Sequence, residues 1–170
     1  MNFRKRFIDA LPETPAGIDL DLDEFVSYNE STLSILRRED SKFLNEFGMP
    51  LRAPPFLSFY SYTAAEIFEL YESLALNNSY FPFGANGSGD ILAIDLNSNE
   101  IVYFNHDNDN ERVFINSSLN QFADSLCIFQ QGLKNSNINQ CNELISKIDP
   151  KAIVVNTMWY AEIQSELENG

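Results

Sequence analysis

The chain has 170 residues, of which 44% are hydrophobic and 13% aromatic, and this composition excludes a disordered protein. Its 25 Asp and Glu residues outnumber its 11 Lys and Arg residues, which gives a formal net charge of −14. Such a charge repels phosphate backbones and anionic membrane surfaces. We therefore expect no direct binding to nucleic acid or to membranes, and the charge favours a basic protein partner.

The length predicts a single domain whose core needs neither metals nor disulfides. Cys127 and Cys141 both lie in apolar, helix-like patterns, which is typical of buried thiols in a reducing compartment. The basic residues at 1–6 are followed by acids and a proline rather than by the apolar run of a signal peptide. No stretch approaches the roughly 18 apolar residues of a membrane span, so we expect a cytoplasmic protein.

The first residues, 1 to about 22, are predicted to form an extended lead-in, with the domain proper over 23–170. The reason is that Pro12, Pro15 and Gly17 interrupt any helix in this stretch.

The next segments alternate between helix and strand. A helix is predicted within 32–47, because apolar residues recur there and Gly48 follows as a stop signal. A short apolar run at 56–60 predicts a strand. The residues at 64–76 fit a helical period better than alternation, which predicts a second helix.

Between residues 80 and 115 the pattern changes to short apolar runs joined by Asn- and Gly-rich turns. This pattern predicts an antiparallel meander. The predicted strands cover 80–83, 91–95, 101–104 and 113–115.

After Asn116 the apolar residues return to helical spacing, and Ser118 is a favourable N-cap for the first of these helices. A second helix is predicted over 138–148, and a last one begins near Thr157 with Trp159 on its apolar face. The chain is therefore predicted to be α+β, with a twisted antiparallel sheet of about four to six strands packed against helices and a helical C-terminal third.

The residue inventory argues against an enzyme. The single histidine, His106, lies in a polar acidic loop, and neither cysteine has a basic neighbour that would lower its pKa. One histidine and two separated cysteines do not supply a zinc site. We therefore expect no catalytic residue, no metal and no cofactor.

Two acidic stretches resemble calcium loops only superficially. Asp107, Asp109 and Glu111 alternate, but no glycine occupies the sixth position of that loop. A second match to the EF-hand spacing has Glu24 where the sharp turn needs glycine, and its acids are Asp19, Asp21, Asp23 and Glu30. Both stretches are interpreted as solvated acidic segments.

The glycine-rich loop at 84–90 has a G-x-x-G-x-G pattern. A phosphate cradle requires a helix after such a loop, and a strand pattern follows instead, so Gly84 and Gly89 are predicted to shape a β connection. Asp90 and Asp95 flank that strand, and an enzyme acting through this pair of acids stays open as an alternative.

Several segments, in their order along the chain, resemble the SUKH superfamily, which is named with yeast cell-wall-assembly regulators and includes bacterial immunity proteins. Residues 43–50 (FLNEFGMP) resemble its "FL-x-x-x-G-[LM]-P" element, and 81–95 resemble its central hairpin. Residues 113–123 resemble its strand-to-helix joint, and 148–163 resemble a closing pattern of one subgroup. The residues that carry the resemblance with scaffold roles are Gly48, Pro50, Gly84, Gly89, Asp95, Asn116, Ser118, Phe122 and Trp159.

The resemblance spans about residues 42–167 and implies an immunity protein that binds and neutralises a cognate toxin, such as a nuclease. An intracellular scaffold or regulatory binding module is the alternative. Because fold does not specify a binding surface, we expect the contacts in variable acidic segments. The interface candidates are His106, Asp107, Asp109 and Glu111 in one loop, and Asp19, Asp21, Asp23 and Glu24 in another.

Overall fold

The computed structural model describes residues 2–13, 22–74 and 78–169, which form seven α-helices and six β-strands. The helices are α1 (Phe3–Ala10), α2 (Glu30–Leu33), α3 (Arg38–Glu46), α4 (Ala64–Ser73), α5 (Leu119–Lys134), α6 (Cys141–Ile148) and α7 (Met158–Asn169). The strands are β1 (Arg52–Ala53), β2 (Leu57–Phe59), β3 (Tyr80–Ala85), β4 (Ile91–Asp95), β5 (Ile101–Asn105) and β6 (Glu111–Asn116).

The six strands form one antiparallel sheet in the order β1-β2-β3-β4-β5-β6, so each strand pairs with its neighbour in sequence. Short polar turns make this order possible. In the turn between β4 and β5, the Asp95 carboxylate accepts from the N–H groups of Asn97 at 2.9 Å and Ser98 at 3.3 Å. The predicted α+β fold, with its antiparallel meander and helical C-terminal third, is confirmed.

One face of the sheet packs against α5 and forms the main core. Phe83 of β3 meets Phe122 of α5 with ring centroids 6.0 Å apart. Trp159 of α7 lies behind them, 6.1 Å from Phe122 and 5.4 Å from Phe129. All four side chains are fully buried, and burial of each contributes roughly 1.5–3 kcal/mol relative to exposure.

The opposite face of the sheet carries a smaller apolar cluster of Ala93, Val102 and Phe104. Tyr80 packs against it, with its ring edge-on to Phe104 at 5.0 Å. Beside this cluster Arg112 donates to Asp95 at 3.1 Å, and it also bonds a carboxylate at the start of β5.

The N-terminal segment differs from the prediction. The extended lead-in expected over 1–22 is wrong at Phe3–Ala10, which form α1 and join the domain. Phe3, Phe7 and Ala10 recur at helical spacing and are buried, and Phe7 lies edge-on to Phe25 at 6.0 Å. The proline and glycine signals act only after this helix, since Pro12 follows its end. Residues 14–21 lie outside the described part of the chain.

Other boundaries moved by a few residues. The helix expected within 32–47 is two helices, α2 and α3, with the Asn29 side chain capping the first. The helix expected over 64–76 ends at Ser73, and 75–77 are outside the described residues. The helix expected from 138 begins as a 3-10 turn, Ile138–Gln140, and continues as α6. Ser118 caps α5 as predicted, by accepting from the Gln121 N–H.

Two glycines sit where no other residue fits. Gly48, after α3, has φ +66°, and a Cβ there would lie 2.2 Å from the Val26 carbonyl oxygen. This close approach places Pro50 in a bridge with Phe25. Gly84 of β3 lets β2 approach, since a Cβ there would lie 2.7 Å from the Ser58 carbonyl oxygen.

A buried polar network joins β6 to the C-terminal helices. The Trp159 indole N–H donates to Asn116 Oδ1 at 2.8 Å, and Asn116 Nδ2 donates to Ser125 Oγ and to Asp149 Oδ2, both at 3.2 Å. Asp149 also accepts from the Ser117 N–H at 2.6 Å. Since buried polar groups need partners, this network specifies how the helices dock on the last strand.

Among the helices of residues 2–13, 22–74 and 78–169, none is both long enough and apolar enough to cross a membrane.

Candidate interaction surface

The β5–β6 loop, residues 106–111 with the first residue of β6, holds four of the predicted interface residues. Its 3-10 turn, His106–Asn108, is capped by Asn105, whose side chain accepts from the Asp107 N–H at 3.0 Å. Asp109 and Asn110 then take left-handed conformations, with φ 51° and 57°. Asp and Asn tolerate this conformation better than most residues, so the polar composition of the loop suits its sharp return into β6.

The loop is fastened to the β3–β4 hairpin through one buried carboxylate. Asp90 Oδ1 accepts from the His106 backbone N–H at 3.0 Å and lies 2.5 Å from the His106 ring Nδ1. The other oxygen of Asp90 accepts from Asn86 Nδ2 at 2.8 Å. Asp90 is buried and its partners come from two loops, so it holds the glycine-rich loop and the acidic loop together.

The pKa values of this pair shift in opposite directions. The hydrogen bond to Asp90 and the charge of Asp107 raise the pKa of His106 above its usual range. Burial raises the pKa of Asp90, but hydrogen bonds from the His106 backbone and ring and from Asn86 outweigh it, and the net direction is downward. Both shifts favour an ionised pair at mildly acidic pH.

The acids of the loop face outward. Asp107 is 82% exposed, and Asp109 and Glu111 are exposed as well. His106 differs from them, because its Nδ1 is committed to Asp90 although half of the ring is accessible. The structure thus places three carboxylates on a turn that the bonds between His106 and Asp90 hold against the β3–β4 hairpin.

The second predicted stretch lies elsewhere. Asp19 and Asp21 fall outside the described residues. Asp23 and Glu24 are exposed and lead into the Phe25–Pro50 bridge, immediately before β1. Since β1 and β6 are at opposite ends of the strand order, these two acids and the β5–β6 loop belong to different edges of the sheet.

A further acidic element was missed by reasoning from motifs. Between Arg52 and Arg112 the sequence contains no Lys or Arg but nine acids, and a segment-by-segment charge count would have found it. Three of these acids are at least partly buried and are bound to His106 or Arg112, namely Asp90, Asp95 and Glu100. Asp107 also lies 3.2 Å from the His106 ring Nε2, but its side chain is 82% exposed. The remaining six are exposed on α4 or on the β5–β6 loop: Glu66, Glu69, Glu72, Asp107, Asp109 and Glu111.

Helix α4 is positioned by its first turn and by one face. Thr63 and Glu66 form a reciprocal capping box, in which the Glu66 carboxylate accepts from the Thr63 N–H at 2.7 Å. Ile67 is buried, and the Tyr71 hydroxyl donates to the Tyr80 carbonyl oxygen. The opposite side of α4 faces solvent and includes Phe68, which is 59% exposed.

The other titratable groups offer little for chemistry. Burial raises the pKa of Cys127 to about 12 and that of Cys141 to about 11, so both thiols stay protonated at neutral pH. Burial raises the pKa of Asp95, but hydrogen bonds from its turn and from Arg112 outweigh burial, so the net shift of this pKa is downward. In the part of the chain that the structure describes, His, Cys, Asp and Glu form no group of three or more that could hold a metal.

Comparison with known proteins connects this arrangement to a family. No curated protein and no solved structure is significantly similar to the chain. Residues 18–125 match the SMI1/KNR4 family (SUKH-1), a range that starts upstream of the motifs found in the sequence and ends within α5. It includes the tight Gly48 turn, the β2–β6 meander and the capped start of α5, and it leaves out Trp159. Because the match covers more than half of the 170 residues, the chain belongs to the SMI1/KNR4 (SUKH-1) family.

Proposed function

We propose that this protein is a non-catalytic binding module that acts in the cytoplasm as an immunity protein and neutralises a cognate toxin. The observation that carries the proposal is the set of six exposed carboxylates on α4 and the β5–β6 loop, within a segment that contains no Lys or Arg. A toxin that attacks nucleic acid must present a basic surface to phosphate, and an acidic surface of this kind is complementary to it.

Fastening of the loop supports the same function. The Asp90–His106 bonds and the left-handed residues Asp109 and Asn110 fix the loop backbone from which the carboxylates project. A preorganised surface loses less conformational entropy on binding than a mobile one. Exposed charges of one sign also raise the association rate, by about 10-fold or more at low salt.

The titratable groups support binding rather than catalysis. Asp90 and Asp95, the acids that an enzyme would use, have lowered pKa values, whereas a general acid at neutral pH needs a raised one. Both carboxylates are occupied by bonds that hold turns together.

The direct test is co-expression with each toxin that a neighbouring gene is found to encode, and the expected result is restored growth with one of them. The variant D107N/D109N/E111Q should associate with that toxin about tenfold more slowly at low salt, with little change in the dissociation rate. Its matched control is E30Q/E46Q/E168Q, which removes three exposed charges elsewhere. An equal effect of both triple variants would place the contact away from the loop. Failure of the wild type to protect against any adjacent toxin, with several stable partners in a pull-down, would favour the scaffold role.

A further inference from the structure

An aromatic ridge follows β2 and separates two grooves. Tyr60 and Tyr62 lie two residues apart with ring centroids 5.8 Å apart. Tyr60 directly follows β2 and is 42% exposed, while Tyr62 is partly buried against the core. Each ring forms a wall of a different groove.

The first groove lies beside the β1–β2 turn and has a volume of about 470 Å³. Its lining is mainly apolar and includes Pro54, Phe56 and Tyr60. Arg52 is the cation among its lining residues, so this groove suits an uncharged apolar side chain better than a basic one.

The second groove lies between Tyr62 and α4 and has a volume of about 340 Å³. Leu70 contributes an apolar wall, and Glu66 and Glu69 are both exposed beside it. The bond from the Thr63 N–H holds the Glu66 carboxylate in place and lowers its pKa. This groove therefore combines an aromatic ring, an apolar wall and two negative charges.

We propose that the Tyr60–Tyr62 ridge and its two grooves form a docking site for an arginine-bearing segment of the toxin. An apolar side chain of that segment occupies the first groove, and an arginine stacks on Tyr62 between Glu66 and Glu69. The charges give the orientation, because Arg52 repels the arginine from the first groove and the carboxylates attract it to the second. A planar guanidinium fits the ring and a carboxylate together better than an ammonium does.

The first experiment uses short peptides and the ¹⁵N-labelled full chain. Titration with acetylated tetra-arginine amide should shift the backbone amide signals of Tyr62, Glu66, Glu69 and Leu70, whereas tetra-lysine should act more weakly and tetra-glutamine should leave them unchanged. Y62L should weaken tetra-arginine binding about fivefold, and Y62F should not. Signals that move only in the β5–β6 loop, or equal effects of arginine and glutamine peptides, would overturn the proposal.

A substitution at an exposed position tests the site without risk to the fold. Glu69 is solvent-exposed on α4, so E69Q should fold normally and still weaken tetra-arginine binding, while E46Q, at an exposed position of α3 outside both grooves, serves as the matched control. No weakening by E69Q would count against the site even if Y62L fails to fold.

The docking site rests on the proposed function, and growth assays separate the two. If the wild type protects against the toxin and Y60A/E69K protects equally well, the docking site is refuted and the function stands. If the wild type itself gives no protection, the function is refuted, while the peptide titration still decides whether the groove binds arginine.

Discussion

Replacement of Asp149 tests whether the junction between β6 and the C-terminal helices stabilises the fold. Asp149 is 2% exposed and accepts from Ser117 N–H at 2.6 Å, Ser117 Oγ at 3.1 Å, Asn116 Nδ2 at 3.2 Å and the Lys151 N–H at 3.3 Å. In D149A the Ser117 and Lys151 N–H groups lose their acceptor. Asn116 Nδ2 keeps its bond to Ser125.

The magnitude follows from these lost partners. An N–H left without an acceptor costs roughly 1–3 kcal/mol when it is buried and less at part-buried sites such as these two. The buried Asp149 also loses its bonds to Ser117 Oγ and Asn116, so D149A should lower the free energy of unfolding by about 3 kcal/mol in all. For a chain of this length that corresponds to a fall in Tm of about 6–12 °C. S117A removes only the hydroxyl bond to Asp149, and it should cost about 1 kcal/mol.

The chain supplies its own probe for this measurement. It has a single tryptophan, Trp159, which is fully buried and bonded to Asn116 in the same network. Thermal and urea unfolding followed by tryptophan fluorescence therefore reports on the junction directly. A D149A Tm within about 2 °C of the wild type, or a larger effect of S117A than of D149A, would refute the reasoning.

Three further predictions concern the loop, the tight turn and α4. The pKa of His106, followed by NMR, should lie above its usual value of about 6.5 and fall towards it in D90N. The raised pKa of His106 contributes folding stability that is fully present below about pH 6.5 and is lost as the pH rises through the folded-state pKa. The lowered pKa of Asp90 contributes folding stability that is present above about pH 4 and is lost as the pH falls through its folded-state pKa. G48A should cost more than about 3 kcal/mol in urea unfolding, because its Cβ meets the Val26 carbonyl and φ is positive. T63A should cost about 1 kcal/mol and speed hydrogen exchange in α4 alone.

The fold was predictable to the extent that it depends on local patterns. The meander, α5 and α7 follow from apolar spacing and turn residues within a few positions of one another. Helix α1 was not predicted because Pro12, Pro15 and Gly17 favour an extended segment, although Phe3 and Phe7 have helical spacing. That spacing predicts a helix, but only the contact with Phe25 shows that the helix belongs to the core.

The sequence predicted which acidic residues lie in the candidate surface, but not the contacts that position them. The acids at 107–111 are evident in the sequence, whereas the bond between Asp90 and His106 joins residues 16 positions apart and depends on strand register. The indole bond from Trp159 to Asn116 spans 43 positions and has no local signal at all. Contacts of this kind follow from tertiary packing, which a periodicity in one segment does not encode.

The meander order has a consequence for how freely the exposed acids can be substituted. Every strand pairs with its sequence neighbour, so β5–β6 and β2–β3 connections leave and re-enter the sheet without crossing it. The six exposed acids sit in these connections, apart from the network of Asn116, Asp149 and Trp159. Exposed substitutions usually change stability by no more than about 0.5 kcal/mol each, so replacing the five acids other than Glu66 would cost about 2.5 kcal/mol at most. Glu66 belongs to the capping box of α4, and its replacement costs about 1 kcal/mol more. Under the proposed function, the contact surface can therefore change through a few substitutions while the scaffold stays folded.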